Sequence, residues 1–218
     1  MKELRYTLLS DGSSDVALLP ALTWLLREHH VEFAIQPEWA DLRRLPNPPR
    51  GLTNKIKQSL DLYPCDLLFV HRDSEREPRE TRVNEIYQAV AETAKSMAIP
   101  PQVCVVPVRM QEAWLLFDES ALRMAASNPN GRHPLLLPEI TRLEQLPNPK
   151  NHLYELLREA SGLYGRRRKQ FPVHVGVRRV AEFISDFTPL RALPAFTALE
   201  VDIAKVIKEQ GWDCMVPI

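Results

Sequence analysis

Apolar positions follow two different spacings along the first half of the chain. Short continuous or alternating apolar runs, typical of strands, occupy residues 4–10, 31–39, 66–71 and 102–108. Between these runs, apolar residues recur every three or four positions, which predicts helices. The predicted helices cover residues 18–26, 52–60, 83–97 and 112–126.

Strands that alternate with helices predict a parallel sheet with right-handed crossovers. The uninterrupted apolar runs "LLFV" and "VCVV" favour strands that are covered on both faces. We therefore expect an α/β fold in which residues 1–127 form a core of about four mainly parallel strands with flanking helices. Prolines punctuate the short helical patterns of residues 128–218, which predict a helical extension packed on this core.

Composition narrows the class of protein. The 218 residues contain 28 basic and 28 acidic side chains, so any nucleic acid would have to bind a local basic patch. The start lacks the pattern of a signal peptide, and no apolar run approaches a membrane span. Cys65, Cys104 and Cys214 match no zinc-binding spacing. We expect a cytoplasmic protein that does not associate with membranes.

Acidic side chains follow three of the four predicted strands. Because the carboxyl ends of parallel strands meet at one edge of a sheet, these side chains should converge there. Carboxylate oxygens at such an edge suit a hard divalent cation such as Mg²⁺. The candidate residues, which include one histidine, are Asp11, Asp15, His71, Asp73, Glu75 and Glu112.

Each candidate also has a simpler explanation. Acids favour helix amino termini, which would explain Asp11, Asp15 and Glu112 without any ligand. Asp73 and Glu75 could belong to a solvated charged run, and a lone histidine is commonly structural. The placement of all of them at strand ends favours a shared site.

Basic residues provide candidate phosphate contacts. The run "YGRRRKQF" places Arg166, Arg167, Arg168 and Lys169 between two aromatic residues, a composition that suits nucleic acid but also a solvated loop. Arg72 and Lys150 are further candidates, although either could be an ordinary surface or ion-pairing residue. A looser basic region spans residues 43–57.

Four segments carry a resemblance to a known family. "LLSDGSSDVALLPAL", "LLFVHRDSE", "VPVRMQEAWLLFDESAL" and "NPKNHLYELL" resemble, in this order, the elements of small bacterial Toprim-like proteins. Those proteins are related to the Toprim domains of topoisomerases, primases, recombination mediators and OLD-type nucleases. Two positions depart from the Toprim pattern: Asp11 stands where glutamate is usual, and His71 stands where the first aspartate of a D-x-D pair is usual.

The resemblance implies metal-assisted cleavage of phosphodiester bonds in nucleic acid, with a phage-defence or DNA-repair setting. Asp11, Asp73, Glu75 and Glu112 would be the metal ligands, and Asp15 would orient them. Asp11 and Asp73 would also act in catalysis, together with His71 as a proton carrier. The cofactor would be Mg²⁺ or Mn²⁺, and a nitrogen ligand from His71 would favour Mn²⁺.

Two other functions fit the same residues. The chain could be a non-catalytic binding or regulatory module that kept the fold and replaced the ligands, as His71 suggests. It could also be a phosphohydrolase or nucleotidyl transferase that acts on a small nucleotide, although it has no glycine-rich phosphate loop. A partner protein or a homodimer is compatible with every alternative.

Overall fold

A computed structural model describes residues 3–75 and 77–213, so that Cys214 lies outside the described residues. Four strands form one sheet in the order β2-β1-β3-β4, and every neighbouring pair is parallel. The strands are β1 (Glu3–Leu9), β2 (Ala34–Ala40), β3 (Leu67–His71) and β4 (Gln102–Val105). The predicted α/β fold with a four-stranded parallel core is therefore confirmed.

Side chains of β3 alternate between two separate layers of the core. Leu67 and Phe69 pack on the side that holds the larger hydrophobic cluster, whereas Leu68 and Val70 pack on the side of the smaller one. All five residues of β3 are buried. This explains why the strand reads as a continuous apolar run rather than as an alternating one.

Eight helices accompany the sheet in the described part of the chain. Helices α2 and α3 cover the smaller cluster through Ile56, Leu60, Ile86 and Val90, and α1 and α8 lie on the opposite side. The helices are α1 (Leu19–Glu28), α2 (Leu52–Leu62), α3 (Arg79–Ala94), α4 (Glu119–Ala125), α5 (Pro149–Ala160), α6 (Gly165–Lys169), α7 (Val173–Phe183) and α8 (Pro194–Gln210).

The second half of the chain shares the core of the first half. Leu157 of α5, Val180 of α7 and Phe196 of α8 belong to the same hydrophobic cluster as Phe69 of the sheet. The Phe196 ring meets Trp114 edge to face at 5.2 Å between centroids. The helical segment therefore completes one face of the sheet.

The helix predicted over residues 112–126 differs from the observed structure. A 3₁₀ helix, Gln111–Leu115, comes first, and α4 begins only at Glu119. The Asp118 carboxylate accepts a hydrogen bond from Ala121 N at 2.9 Å, which caps a new helix and separates the two pieces. The fourth strand is also shorter than predicted, since β4 ends at Val105 and Pro107, which has no N–H to donate, follows.

Main-chain pairing continues beyond the ends of β3 and β4. Arg72 N donates to Val105 O, Ser74 N donates to Pro107 O and Glu75 N donates to Arg109 O, at 3.0–3.1 Å. These bonds hold the segment after His71 against the segment that leads into the 3₁₀ helix. The carboxyl edge of the sheet is thereby extended into a rigid pair of loops.

Candidate functional site

Two carboxylates flank one histidine at the carboxyl edge of the sheet, and a third carboxylate lies near one of them. His71 Nε2 lies 3.5 Å from Asp73 Oδ1 and 3.8 Å from Asp15 Oδ2. Glu112 is close enough to raise the pKa of Asp73, as Asp15 does. The turn after β1, the end of β3 and the 3₁₀ helix after β4 therefore bring their acids together. We call Asp15, His71, Asp73 and Glu112 the carboxylate cluster.

Hydrogen bonding fixes the orientation of the His71 ring. Its Nδ1 lies 2.9 Å from the carbonyl oxygen of Val105. Because a carbonyl only accepts, Nδ1 must carry a proton and donate it. The remaining nitrogen, Nε2, then faces two carboxylates, and a bare lone pair there would be repelled by both. A proton held between Nε2 and one of these carboxylates, or a cation, would relieve the repulsion.

The turn after β1 holds Asp15 in its buried position. Gly12 N donates to Asp15 Oδ2 at 2.7 Å, and the Ser14 hydroxyl lies 3.4 Å from Oδ1. A Cβ atom on Gly12 would stand 2.8 Å from Asp15 Oδ1, closer than such atoms approach one another. Glycine is therefore the residue that lets the Asp15 carboxylate fold back over the turn.

Burial changes the chemistry of Asp73. Loss of solvent around its carboxylate raises the pKa of Asp73 to about 6, and the negative charges of Asp15 and Glu112 add to this effect. His71 and the hydrogen bond from Gln111 N, 3.0 Å from Oδ1, act in the opposite direction. Asp73 can therefore exchange a proton close to neutral pH.

Glu112 is a buried carboxylate with spare bonding capacity. The residue is 1% exposed, and its Oε1 accepts no hydrogen bond. Lys150 at the start of α5 places Nζ 3.4 Å from this oxygen. Burial lowers the pKa of Lys150, but the combined effects of Glu112, Tyr154 and Asp15 outweigh it, so the pKa of Lys150 is raised overall. The ion pair brings a positive charge to the rim of the cluster.

Gln111 is a further polar residue at the site that the sequence did not single out. It is buried, its Nε2 donates to Ser14 O at 3.4 Å, and its Oε1 has no hydrogen-bond partner. Its main-chain N–H also orients Asp73. Only its position beside Glu112 could have indicated this role.

Asp11 and Arg72 lie apart from the carboxylate cluster. Asp11 pairs with Lys55 of α2, and its Oδ2 lies 3.6 Å from Arg72 Nε. Alternation along the strands explains this, because Arg72 continues the series of Leu68 and Val70, which faces α2 and α3. Among the described residues, no hydrogen bond or ion pair joins the Asp11 carboxylate to the cluster.

Glu75 is also placed away from the cluster. Its side chain is exposed, and its backbone has a left-handed φ of 55°. Within residues 3–75 and 77–213, no hydrogen bond or ion pair connects it to Asp73 or Glu112. Its main-chain N–H, rather than its carboxylate, helps to build the site by pairing with Arg109 O.

The basic run forms α6, a short helix with no buried residue. Arg168 lies 3.2 Å from Glu155 and 3.9 Å from Glu159, both on α5. Arg166, Arg167 and Lys169 are available at the surface, and nothing in the described structure brings them into contact with the carboxylate cluster.

The cluster suits a hard divalent cation in the chemistry of its donors. It offers oxygen atoms from three carboxylates, and an ion would satisfy Glu112 Oε1, which accepts no hydrogen bond although Lys150 Nζ lies 3.4 Å away. In the described part of the chain, however, no three His, Cys, Asp or Glu side chains are arranged closely enough to hold a metal ion. An ion would need side chains to move before three of them could bind it.

No protein-family model matches the chain, and comparisons with curated proteins and with solved structures find no significant match. No helix within residues 3–75 and 77–213 has the length and apolar character required to span a bilayer.

Proposed function

We propose that this protein hydrolyses phosphodiester bonds in nucleic acid with the help of a divalent cation. The observation that carries the proposal is the pair of carboxylates of Asp15 and Asp73 beside the Nε2 atom of His71, with the Glu112 carboxylate near Asp73. The resemblance of the strand-end segments to Toprim-like proteins supports the same chemistry. Mg²⁺ and Mn²⁺ are the candidate ions.

Asp15, Asp73 and Glu112 would hold the ion. In phosphodiester hydrolysis such an ion neutralises charge on the phosphoryl oxygens and acidifies water. This assignment uses Asp15 as a ligand in place of Asp11, which the sequence pattern favoured, because Asp15 is the acid of the turn that contacts His71.

The protein's own residues would manage protons and charge. His71 Nε2, which lies 3.5 Å from Asp73 Oδ1, would carry the proton, whereas Asp73 would stay ionised while it holds the ion. Lys150 carries a positive charge beside Glu112 and would attract a phosphate to the rim of the cluster.

Cleavage assays with labelled single- and double-stranded oligonucleotides test the proposal. We expect cleavage with Mg²⁺ or Mn²⁺, and a loss of about 100-fold or more in Asp73→Asn, whose amide oxygen can still accept from Gln111 N. Asp61→Asn, which changes an exposed aspartate on α2, is the matched control and should cleave normally. Purified protein that cleaves no substrate with either ion would refute the enzymatic proposal.

A second candidate function is a non-catalytic nucleic-acid-binding module. It is favoured by Lys150, which already brings a positive charge to the cluster, and by the absence of a ready three-ligand group in the described residues. Calorimetry separates the two. Binding of Mn²⁺ that Asp73→Ala removes supports the enzyme, and identical heats for both proteins support the module.

A further inference from the structure

A groove of about 730 Å³ opens beside the carboxylate cluster. Its walls come from the turn after β1, the end of β2 with the residues that follow it, the start of α5, and α7. Lys150 and Ser14 connect it to the cluster, because Lys150 pairs with Glu112 and Ser14 contacts Asp15. We call this feature the basic groove.

Positive charge predominates along the basic groove. The described lining includes the carboxylate of Glu182 and five cationic side chains, which are Arg43, Arg44, Lys150, Arg178 and Arg179. Arg44 and Arg178 remain largely in solvent, with side chains 86% and 65% exposed, although each also meets one carboxylate. Exposed arginine guanidinium groups suit the phosphates of a polynucleotide.

Aromatic rings accompany these charges. Trp39 lies under the Arg43 guanidinium, with 5.3 Å between the charge centre and the ring centroid. On the other wall, Tyr154 and His174 meet edge to face at 5.3 Å, and the Tyr154 hydroxyl lies 3.0 Å from His174 Nδ1. Rings and guanidinium planes of this kind provide stacking surfaces for unpaired bases.

We propose that the basic groove binds single-stranded nucleic acid and leads it to the carboxylate cluster. The combination of phosphate-binding arginines with aromatic surfaces favours single strands over duplexes, because the bases of a duplex are stacked on one another and cannot cover protein rings. The choice of nucleic acid as the ligand rests on the proposed function, but binding in the groove does not require hydrolysis.

Anisotropy titrations of labelled single-stranded DNA and RNA, in EDTA to exclude cleavage, test this inference. We expect the double variant Arg44→Ala/Arg178→Ala to bind both more weakly. The slope of log affinity against log salt should fall by roughly 1.4, since each lost contact with a single strand contributes about 0.7. His174→Ala, an exposed position, should weaken binding by roughly fivefold or more through lost stacking.

A matched control removes equivalent charges outside the groove. Lys95→Ala/Arg142→Ala deletes two cations with side chains 71% and 70% exposed, each also paired with a carboxylate three positions away. This variant should keep the affinity and salt slope of the unmodified protein. Arg166→Ala/Arg167→Ala tests the basic run of α6 as the competing surface.

Three results would each overturn the inference. The groove and control variants could lose the same binding affinity, or only the α6 variant could lose affinity. The third such result is that duplex binds as tightly as single strands. Parallel assays with Mn²⁺ separate it from the proposed function. Groove-dependent binding without cleavage supports the groove and counts against hydrolysis. Cleavage that proceeds while the groove variants bind normally overturns the groove alone.

Discussion

At the scale of single residues, His71 determines how charge is balanced in the carboxylate cluster. Its Nδ1 is committed to Val105 O, so only Nε2 can respond to the neighbouring acids. Asp73 responds through a pKa raised to about 6, chiefly by burial. The pair therefore forms a site at which a proton can be shared between Asp73 and His71.

The raised pKa of Asp73 predicts how stability depends on pH without divalent cations. An unfolded aspartate titrates near 3.9, whereas folded Asp73 titrates at about 6. Between these values the unfolded chain has already released the proton that the folded protein retains. The free energy of unfolding should therefore fall as the pH rises from about 4 to about 6, by up to about 3 kcal/mol from this group.

Urea unfolding of the protein and of Asp73→Asn, compared across that pH range, measures this contribution. The asparagine cannot titrate, so the difference in stability between the two proteins should change by this amount. If the stabilities of the two proteins depended on pH in the same way, folding would not raise the pKa of Asp73, and the prediction would be contradicted.

At the scale of elements, strand alternation decides which acids can meet. Along β3, Leu67, Phe69 and His71 share one face, and Asp73 continues that series, whereas Arg72 joins the other. The placement of Arg72 on the face opposite to His71 could thus have been predicted from the two-residue alternation of side chains along a strand. The position of Asp15 could not, because it depends on how the Gly12 turn folds back.

A substitution at Gly12 tests whether this turn positions the Asp15 carboxylate. In Gly12→Ala, the new Cβ would displace the Asp15 carboxylate, since it would stand 2.8 Å from Oδ1 and 3.1 Å from Oδ2. The side chain can rotate away, so the fold should survive. A carboxylate misplaced by about 1 Å would lower the cleavage rate by roughly 100-fold.

Gly51→Ala is the control for the Gly12 substitution. Gly51 has a left-handed φ of 76°, and a methyl group added there would have no neighbouring atom within 4 Å. Alanine should therefore cost roughly 1–3 kcal/mol of stability through backbone strain alone, because φ 76° with ψ 149° is essentially a glycine conformation. It should leave cleavage unchanged. Normal cleavage by Gly12→Ala would exclude a role for the Asp15 carboxylate.

The presence of a helix could be predicted from the sequence more readily than the residue at which a helix begins or ends. The spacing of apolar residues over 83–97 predicted the helix now described as α3, although that helix begins earlier, at Arg79, and ends earlier, at Ala94. The same spacing over residues 112–126 did not reveal the break at Asp118, because apolar residues continue through it. A cap formed by one side chain is a local event that hydrophobic periodicity does not record.

At the scale of the whole molecule, helices from the second half of the chain contact the residues that form the carboxylate cluster or lie beside them. Trp114 lies two residues after Glu112 and packs against Phe196 of α8. Lys150 of α5 meets Glu112 directly. The alternation of strands and helices predicted the sheet, but contacts between distant segments such as these follow from packing and leave no mark in local sequence.

Phe196→Ala should therefore destabilise the protein by about 3–5 kcal/mol, because Phe196 is fully buried against the Trp114 ring. Val201→Ala on the same helix changes a side chain that is 60% exposed and should alter stability by less than about 0.5 kcal/mol. Chemical unfolding measures both. Similar stabilities for the two variants would contradict the shared core.

Diffraction from a crystal soaked in Mn²⁺, collected where manganese scatters anomalously, tests most directly whether the carboxylate cluster is a metal centre. We expect an anomalous peak within coordination distance of Asp15, Asp73 and Glu112, and no such peak in crystals of Asp73→Asn. An empty cluster at saturating Mn²⁺, or a peak of equal height in both crystals, would contradict the proposed metal centre.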